Sequence, residues 1–485
     1  MTKIDRVLVS VDWELANPDC LLQALSSGVS DHAPLHLHTA AMFCPKKRFH
    51  FELYWTKLEG FEDVVREAWV CDDSIVDPFK RLDALYRNTA VALQAWSQRK
   101  TGNIKLLMAV ATLVIFRLDQ AQESRILTDQ ELWLRRTLKL ALLGMSSLQR
   151  TIERQRSRMR WIREGNANTK LFQAFANGRR AKNFIPHVKV RDVVYTEQRQ
   201  KEEVLTAAFE SLLGLDQARD FTIDLDYLDV QPIDLADLDD MFTEQEVLDA
   251  INELHPDRAP SPDGFIGAFY QRAWPIIKND IMAAVHKLYV CDGAGFAKLN
   301  RAYIILIPKK SDAEEVGDFR PISLTHSFEK LFAKMLTTRI RRQMKALVNA
   351  NQSAFIKGRV LHDNFLMVRH VPRRIHARRA PGVFLKLDIS KALDTLSWPF
   401  LFQVLRAKGF GPRFIRWLEI LLQSASTKVV VNGCPGKRFY HSRGLMQGDP
   451  SSPLLFVIAM DILTAVISKA ASEGVLSSFS GIKDT

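Results

Sequence analysis

Apolar and polar positions follow two different periods along this chain. Between residues 80 and 182 Gly and Pro are scarce, and Leu132, Leu134, Leu138, Leu140, Leu142 and Leu143 form an apolar stripe, so long helices are predicted. Ahead of them, residues 6–10 and 30–37 read as two short strands joined by a loop. Phe49, Phe51, Tyr54, Trp55, Phe61 and Trp69 follow; rings at this spacing predict a helix core, with stacking on bases as the alternative. In the second half, Thr243 with Glu246 three residues on marks the start of a helix ending near Leu254. Residues 259–265 are rich in turn formers and 268–290 read as helix. Residues 303–308 are a β-branched strand, and 323–348 a helix basic on one face. Residues 383–387 are an apolar, β-branched run that ends in Asp388. A strand with a carboxylate at its tip suits a metal-dependent site, because a hard cation wants oxygen ligands on a rigid element; the alternative is a buried strand closed by a capping Asp.

Charge changes this picture in three places. The net charge is +12 and the pI about 9.4, which favours a polyanionic partner over an acidic lipid surface. Residues 150–182 hold ten Lys and Arg against two Glu, and Arg156, Arg158, Arg160 and Arg163 flank Trp161. Arginines around a ring suit a phosphate backbone with a base to stack on; a solvated basic helix face is the alternative. Residues 216–240 reverse the sign with nine Asp and one Arg, which predicts an exposed linker and a boundary. Arg369, Arg373, Arg374, Arg378 and Arg379 form a further basic patch just before Asp388. Five scattered cysteines include no CxxC pair, which fits buried thiols in a reducing compartment. The N-terminus has no apolar signal region, and the longest uncharged apolar run, 106–116, is too short to span a bilayer. A nuclear or cytoplasmic location with no membrane partner is therefore expected.

Four segments occur in a telling order: Pro308-Lys309-Lys310, Phe319-Arg320-Pro321-Ile322, the run into Asp388-Ile389, and Gly444-Leu445-Met446-Gln447-Gly448-Asp449-Pro450. In this order and spacing the chain resembles the reverse transcriptases of non-LTR retrotransposons, the plant LINE-type elements in particular. The resemblance implies RNA-templated DNA synthesis, with an RNA template, a DNA primer and deoxynucleoside triphosphates as partners. It implies Asp388 as catalytic metal ligand, with the Ile389 carbonyl beside it, for two Mg²⁺ ions that activate the primer hydroxyl and stabilise the leaving pyrophosphate. Arg320 and Lys309 would balance the triphosphate charge, and Gln447 and Gly448 would contact nucleotide and template. Lys357 and Arg359 lie in the segment that runs along the template, and Arg373 and Arg374 would add backbone contacts. Leu393 stands where most of these enzymes carry the ring that blocks a ribose 2′-hydroxyl. The block from Arg156 to Gln173 resembles the linker between nuclease and polymerase, with Asn166 and Gln173 departing from its usual pattern.

At the N-terminus, Ser30-Asp31-His32-Ala33-Pro34 resembles the last motif of the endonuclease that precedes such polymerases, where the Asp-His pair helps activate water. Met446 and Ser451 depart from the family pattern. The aromatic-Ala-Asp-Asp motif expected some tens of residues after Gly444 has no counterpart: adjacent Asp pairs occur only at 72–73 and 239–240, and Asp461 and Asp484 are single. One carboxylate holds two divalent ions poorly. The expectation is an α+β right-hand polymerase with fingers and an incomplete palm at 241–485. It is preceded by an acidic linker at 216–240, a helical basic linker at 41–215, and a β remnant of an endonuclease/exonuclease/phosphatase-type domain at 1–40. On this reading the chain is a truncated reading frame, inactive by itself. The alternative is a nucleic-acid-binding remnant without chemistry, and the sequence does not fix an oligomeric state.

Overall fold

The structure is a computed structural model that describes residues 7–17, 20–24, 35–38, 48–157, 177–179, 181–215, 222–310, 312–379, 383 and 385–476. The first strand expected, at 6–10, is not one. Ser10 instead caps a short helix, Val11–Ala16, by accepting the Trp13 N–H at 3.1 Å, and Asp12 and Glu14 suit its first turn. Two short strands follow, β1 (Leu21–Ala24) and β2 (Leu35–His38), paired antiparallel.

The aromatic run is core, with Phe49 half-buried at its edge. Phe51, Tyr54, Trp55, Phe61 and Trp69 are buried, and Phe51 and Trp69 meet Phe269 at 5.6 and 6.2 Å between ring centroids. Phe269 lies on the Gly267–Tyr289 helix, so residues 48–101 and 241–290 share one interior. The backbone makes the same junction: the Phe51 N–H donates to the Gly264 carbonyl at 2.9 Å. Gly264 sits at φ +86, and a Cβ there would lie 2.5 Å from the Phe49 carbonyl oxygen, so this approach requires glycine.

Asp77 caps the Pro78–Thr101 helix, with Pro in its first turn. Beyond it, Ile104–Ser124 and Asp129–Ser157 form a helical hairpin held in part by an Arg135–Asp119 ion pair at 2.6 Å. The leucine stripe splits on this hairpin. Leu132, Leu138 and Leu142 are half-buried, while Leu134, Leu140 and Leu143 are exposed. Six leucines spaced partly by two cannot share one face of a 3.6-residue helix. Two stretches, 78–124 and 452–472, are long and apolar enough to cross a membrane by length and composition alone. The second is the Ser452–Ser472 helix, which packs on the Trp398–Ala407 and Ser327–Leu347 helices and buries Leu454, Leu455, Ile458 and Ile462.

A small hairpin, β3 (Val188–Val190) and β4 (Val193–Tyr195), precedes the Gln198–Leu213 helix. That helix covers one face of a four-stranded sheet in the order β6-β5-β7-β8. The strands are β5 (Arg301–Pro308), β6 (Phe319–Thr325), β7 (Ser426–Val431) and β8 (Cys434–Tyr440). β5 and β6 are an antiparallel hairpin, β5 runs parallel to β7, and β7 is antiparallel to β8. Ile304, Leu306, Val429, Val431 and Phe439 alternate onto the covered face, where they form a core with Leu205 and Phe209. The stretch read as helix from 323 begins instead as strand, because 319–325 pairs with β5; the helix starts at Ser327.

From residue 222 the acidic segment packs against the body. Leu225, Leu235 and Leu238 are buried, and Asp239 accepts the N–H groups of Arg413 and Phe414 at the start of the Pro412–Gln423 helix, at 3.2 and 2.8 Å. Arg339 holds the rest of this segment. Only 5% exposed, it pairs with Glu246 at 2.6 and 2.7 Å, donates to the Leu238 and Asp240 carbonyls at 2.7 and 2.8 Å, and lies 3.9 Å from the Phe242 ring centre. Glu246 belongs to the Glu244–Glu253 helix, whose Thr243 cap forms as the sequence predicts, at 3.1 Å to the Glu246 N–H.

Truncating Arg339 to Ala leaves a half-buried carboxylate and two carbonyls without donors. It is expected to lower stability by about 3–5 kcal/mol, read from urea midpoints, and Arg339→Lys should recover only part because an ammonium cannot make the bidentate pair. A midpoint unchanged in Arg339→Ala would show that this guanidinium is not a principal tie.

Candidate polymerase site

The sheet positions the site through a contact at its β6 edge. The Ser323 N–H donates to the Gln447 carbonyl at 2.7 Å, which fixes the loop predicted to contact nucleotide beside the strand that carries Arg320. Gly448 has φ +119, and a Cβ there would come 2.7 Å from the Ser323 carbonyl oxygen. The motif glycine is therefore required by backbone proximity. Asp449 next to it is buried and accepts the N–H groups of Ser451 and Ser452, at 2.8 and 3.2 Å, where the Ser452–Ser472 helix begins.

The same loop gathers the segment after Asp388. The Leu445 N–H donates to the Leu393 carbonyl at 2.7 Å, the Gly444 N–H to Leu396 at 2.8 Å, and the Trp398 indole N–H to the Gly444 carbonyl at 2.7 Å. Leu393 packs partly buried against the main core. Asp394 is half-buried; burial pushes its carboxyl up, and Lys391 and Lys309 pull it down. Lys309 of the hairpin thus lies within electrostatic reach of Asp394.

Asp388 is exposed, and the strand predicted to carry it does not form. Residues 385–389 have no ladder partner, and Val383, Leu385 and Leu387 are 88, 73 and 60% exposed. The physical reason is pairing: an apolar run becomes a strand only where a neighbour supplies N–H and C=O groups, and none of the described strands lies beside it. Ile389 is also exposed. Arg320 stands exposed opposite Ile307 and makes no side-chain hydrogen bond or ion pair with the described residues. Lys309 donates to the Gly317 carbonyl at 2.8 Å.

The nucleic-acid residues divide. Lys357, Arg373 and Arg374 are exposed, the last two on the Leu361–Ala377 helix, none of whose residues is buried. Arg359 is committed elsewhere. Its guanidinium donates to the Asn349 and Gln352 carbonyls at 2.6 Å each and to Lys345 and Val348 at 3.3 Å, closing the C-terminus of the Ser327–Leu347 helix. Arg156 falls in the last turn of the Asp129–Ser157 helix. Arg158, Arg160, Trp161, Arg163, Asp31 and His32 lie outside the described residues.

Sequence reading missed a cation cluster that only strand register brings together. On the open face of the sheet, Arg301 and Tyr303 of β5 stand beside Ser426 and Lys428 of β7, and Lys428 faces Arg438 of β8. Arg48 sits 4.9 Å from the Tyr303 ring centre. Burial pushes the Lys428 ammonium down, and Arg438, Arg48 and Arg301 push it further; burial and Arg301 act likewise on Arg438. Among the described residues no carboxylate forms an ion pair with any of these four cations. Arg320 is on this same face, and exposed Tyr440 lies across from Ser426. A cavity of about 350 Å³ opens beside it, lined by Arg301, Tyr303, Arg438, Tyr86 and Asp263 among others.

A two-metal centre does not fit what the described residues assemble. Among them no three His, Cys, Asp or Glu side chains converge where a metal could be held. Asp388 and the Ile389 carbonyl would supply too few oxygens for even one hard cation.

Residues 307–479 match the family model of reverse transcriptase (RNA-dependent DNA polymerase). The hairpin with Arg320, the Asp388 segment and the Gln447-Gly448 loop all fall inside that match. The chain is similar to the transposon TX1 uncharacterized 149 kDa protein of Xenopus laevis, 28% identical over 235 residues, 48% of this chain and 18% of that protein. It is similar to the Pol polyprotein from type-2 retrotransposable element R2DM of Drosophila melanogaster, 29% identical over 205 residues, 42% of this chain and 19% of the relative. A Pol polyprotein from type-1 retrotransposable element R2 of Popillia japonica is 36% identical over 103 residues, 21% and 16% of the two chains. Residues 307–479 are thus similar to the reverse transcriptase region of non-LTR retrotransposon proteins. The chain spans about a fifth of the length of the first two of these relatives.

Gly448→Ala tests the docked loop. It should cost about 1–3 kcal/mol, because the conformation is strained for any residue with a Cβ. It should also speed amide exchange across 319–325 while leaving the Gln198–Leu213 helix protected. Uniform loss of protection, or none, would contradict a local contact.

Proposed function

We propose that this domain descends from an RNA-directed DNA polymerase and that these 485 residues bind RNA without assembling the metal centre for DNA synthesis. The observation that carries the reading is the state of Asp388: exposed, on an unpaired segment, with no further acids converging on it among the described residues. An RNA template, a DNA primer and deoxynucleoside triphosphates are the partners that a reverse transcriptase domain takes. In this reading Arg320 meets the triphosphate, Lys309 assists it, and the Gln447-Gly448 loop meets nucleotide and template. Reverse transcriptase domains generally use Mg²⁺. The same reading takes residues 1–40 as the tail of an endonuclease, the element as plant LINE-type, and the location as nuclear or cytoplasmic. The unneutralised cations on the open sheet face support RNA as the polyanion held, with exposed Tyr440 available to a base.

Filter binding of single-stranded RNA should show log K falling with log salt at about −0.7 per phosphate neutralised. Lys428→Glu with Arg438→Glu should weaken binding by about tenfold or more at low salt and flatten that slope. Arg359→Ala should leave the slope unchanged, because its donors are spent on carbonyls. Salt-independent binding would refute the reading.

Extension of oligo(dT) on poly(rA) with Mg²⁺ should fall short of a complete family enzyme by a factor on the order of a thousand or more. Clear extension that Asp388→Ala abolishes would show that the centre does assemble. Extension that survives Asp388→Ala would place the active site elsewhere.

A further inference from the structure

Two acids that no motif singled out as a pair meet beneath the Gln447-Gly448 loop. Glu329, in the first turn of the Ser327–Leu347 helix, is 2% exposed, and Asp449 is 7% exposed. Asp449 spends Oδ1 on Ser451 and Ser452, while its Oδ2 and the Glu329 Oε2 are both buried without a conventional donor. Two buried carboxylates within reach of each other are not both readily ionised, and an oxygen on each, like the Thr325 hydroxyl beside Glu329, is buried without a partner that a shared proton would supply.

We propose that Glu329 and Asp449 share one proton in a buried hydrogen bond that latches the Gln447-Gly448 loop onto β6, and that rising pH releases the latch. Burial, then the Asp449 charge, holds the Glu329 carboxyl well above the usual carboxylate range. Glu329 is thus the protonated partner, its O–H donating to Asp449. Facing the pair from β6 is the Thr325 hydroxyl, from the helix itself Lys330, from the Ser452 turn a hydroxyl, and from the 255–265 loop Asp263 and Arg258, which act on Lys330. Burial pushes the Lys330 ammonium down while Glu329, Asp263 and Asp449 push it up, so its charge does not free Glu329 from its proton. One tie to the loop already exists at the backbone, from the Ser323 N–H to the Gln447 carbonyl. The acid pair would add a second, from the helix that follows the same strand. Glu329 is then a positioning residue for Gln447 and Gly448.

The sign follows from the raised value. Glu329 contributes its stabilisation fully below its unfolded value near 4.5, and the contribution is lost as pH rises through the folded value, when the proton leaves to solvent and two negative charges face each other. The latch rests on the nucleotide-site reading only for its purpose, so its test avoids activity. Hydrogen exchange would be followed by mass spectrometry over 319–325 and 445–452 on the whole chain, as protection factors against pH. The wild type should lose protection there by up to about tenfold per pH unit above about 4.5, where the opened loop ionises Glu329 and the closed one does not, and level off once the closed pair ionises. Glu329→Gln, whose amide donates and does not ionise, should stay protected throughout, and Glu329→Ala should be unprotected at every pH. In case a variant does not fold, the wild type labelled with ¹³C-glutamate should show the isotope-shifted infrared C=O band of a protonated carboxyl at neutral pH. A flat wild-type profile matching Glu329→Gln, or no such band, would overturn the proposal. If the latch is confirmed but nucleotide does not bind, the site reading fails and the latch stands.

Discussion

The fold depends most on a guanidinium taken out of water. Arg339 brings a full charge into an interior where an unpaired ion would cost several kcal/mol, and it is tolerated because Glu246 and two carbonyls take its donors and Phe242 lies under its plane. Each partner lies on a different part of the chain. Leu238 and Asp240 end the acidic segment, Glu246 opens the next helix, and Trp417, 5.7 Å from the guanidinium, belongs to the Pro412–Gln423 helix. The long helix that carries Arg339 begins directly after β6, so the strand that holds Arg320 and the Gln447 contact is anchored through it. Such a pair adds little net energy compared with apolar packing, but it admits one register.

What the sequence disclosed was mostly local. The Thr243 cap, the 303–308 strand and the buried aromatic run rest on spacing within a dozen residues, and the structure has them where expected. The Gln447-Gly448 loop was legible by resemblance, and its glycine has a physical reason in the Ser323 carbonyl. Features that depend on distant partners were not legible. Arg301, Lys428 and Arg438 become neighbours through a parallel pairing of β5 with β7, strands more than a hundred residues apart, and nothing in their spacing signals it. Arg359 was expected along the template because of the segment it lies in, yet its guanidinium is taken by the carbonyls at the end of a helix.

The segment before Asp388 shows the same limit in reverse. Its composition is that of a buried strand, and β-propensity expresses fit to a pleated, half-covered surface. Among the described strands none covers it, so Val383, Leu385 and Leu387 face solvent. The neighbouring Leu361–Ala377 helix is in the same condition, with Phe365, Leu366, Met367 and Val368 exposed on it. These two elements adjoin the carboxylate whose placement the chemistry would need most. Beyond them, residues 393–396 are held firmly by Gly444 and Leu445, so the backbone is fixed on one side of Asp388 and free on the other.

The acids of this half of the chain illustrate how the interior disposes of negative charge. Asp461 is neutralised by the buried Lys408 ammonium at 2.7 Å and also accepts the Asn349 N–H. Asp239 serves helix N–H groups, and Asp263 accepts a hydrogen bond from the Ser327 hydroxyl. None of these can turn toward a metal without leaving a donor unmatched, so their number says little about metal binding. Asp388 alone among the acids discussed here is both exposed and uncommitted by any hydrogen bond or ion pair with the described residues. The cations show the complementary logic: Arg339 and Arg359 are spent inside, while Arg320, Arg301, Lys428 and Arg438 share one sheet face without a counter-ion pair among the described residues. The structural charges are paired, and the charges proposed to meet nucleic acid are left open, a difference that separates them more sharply than residue type does.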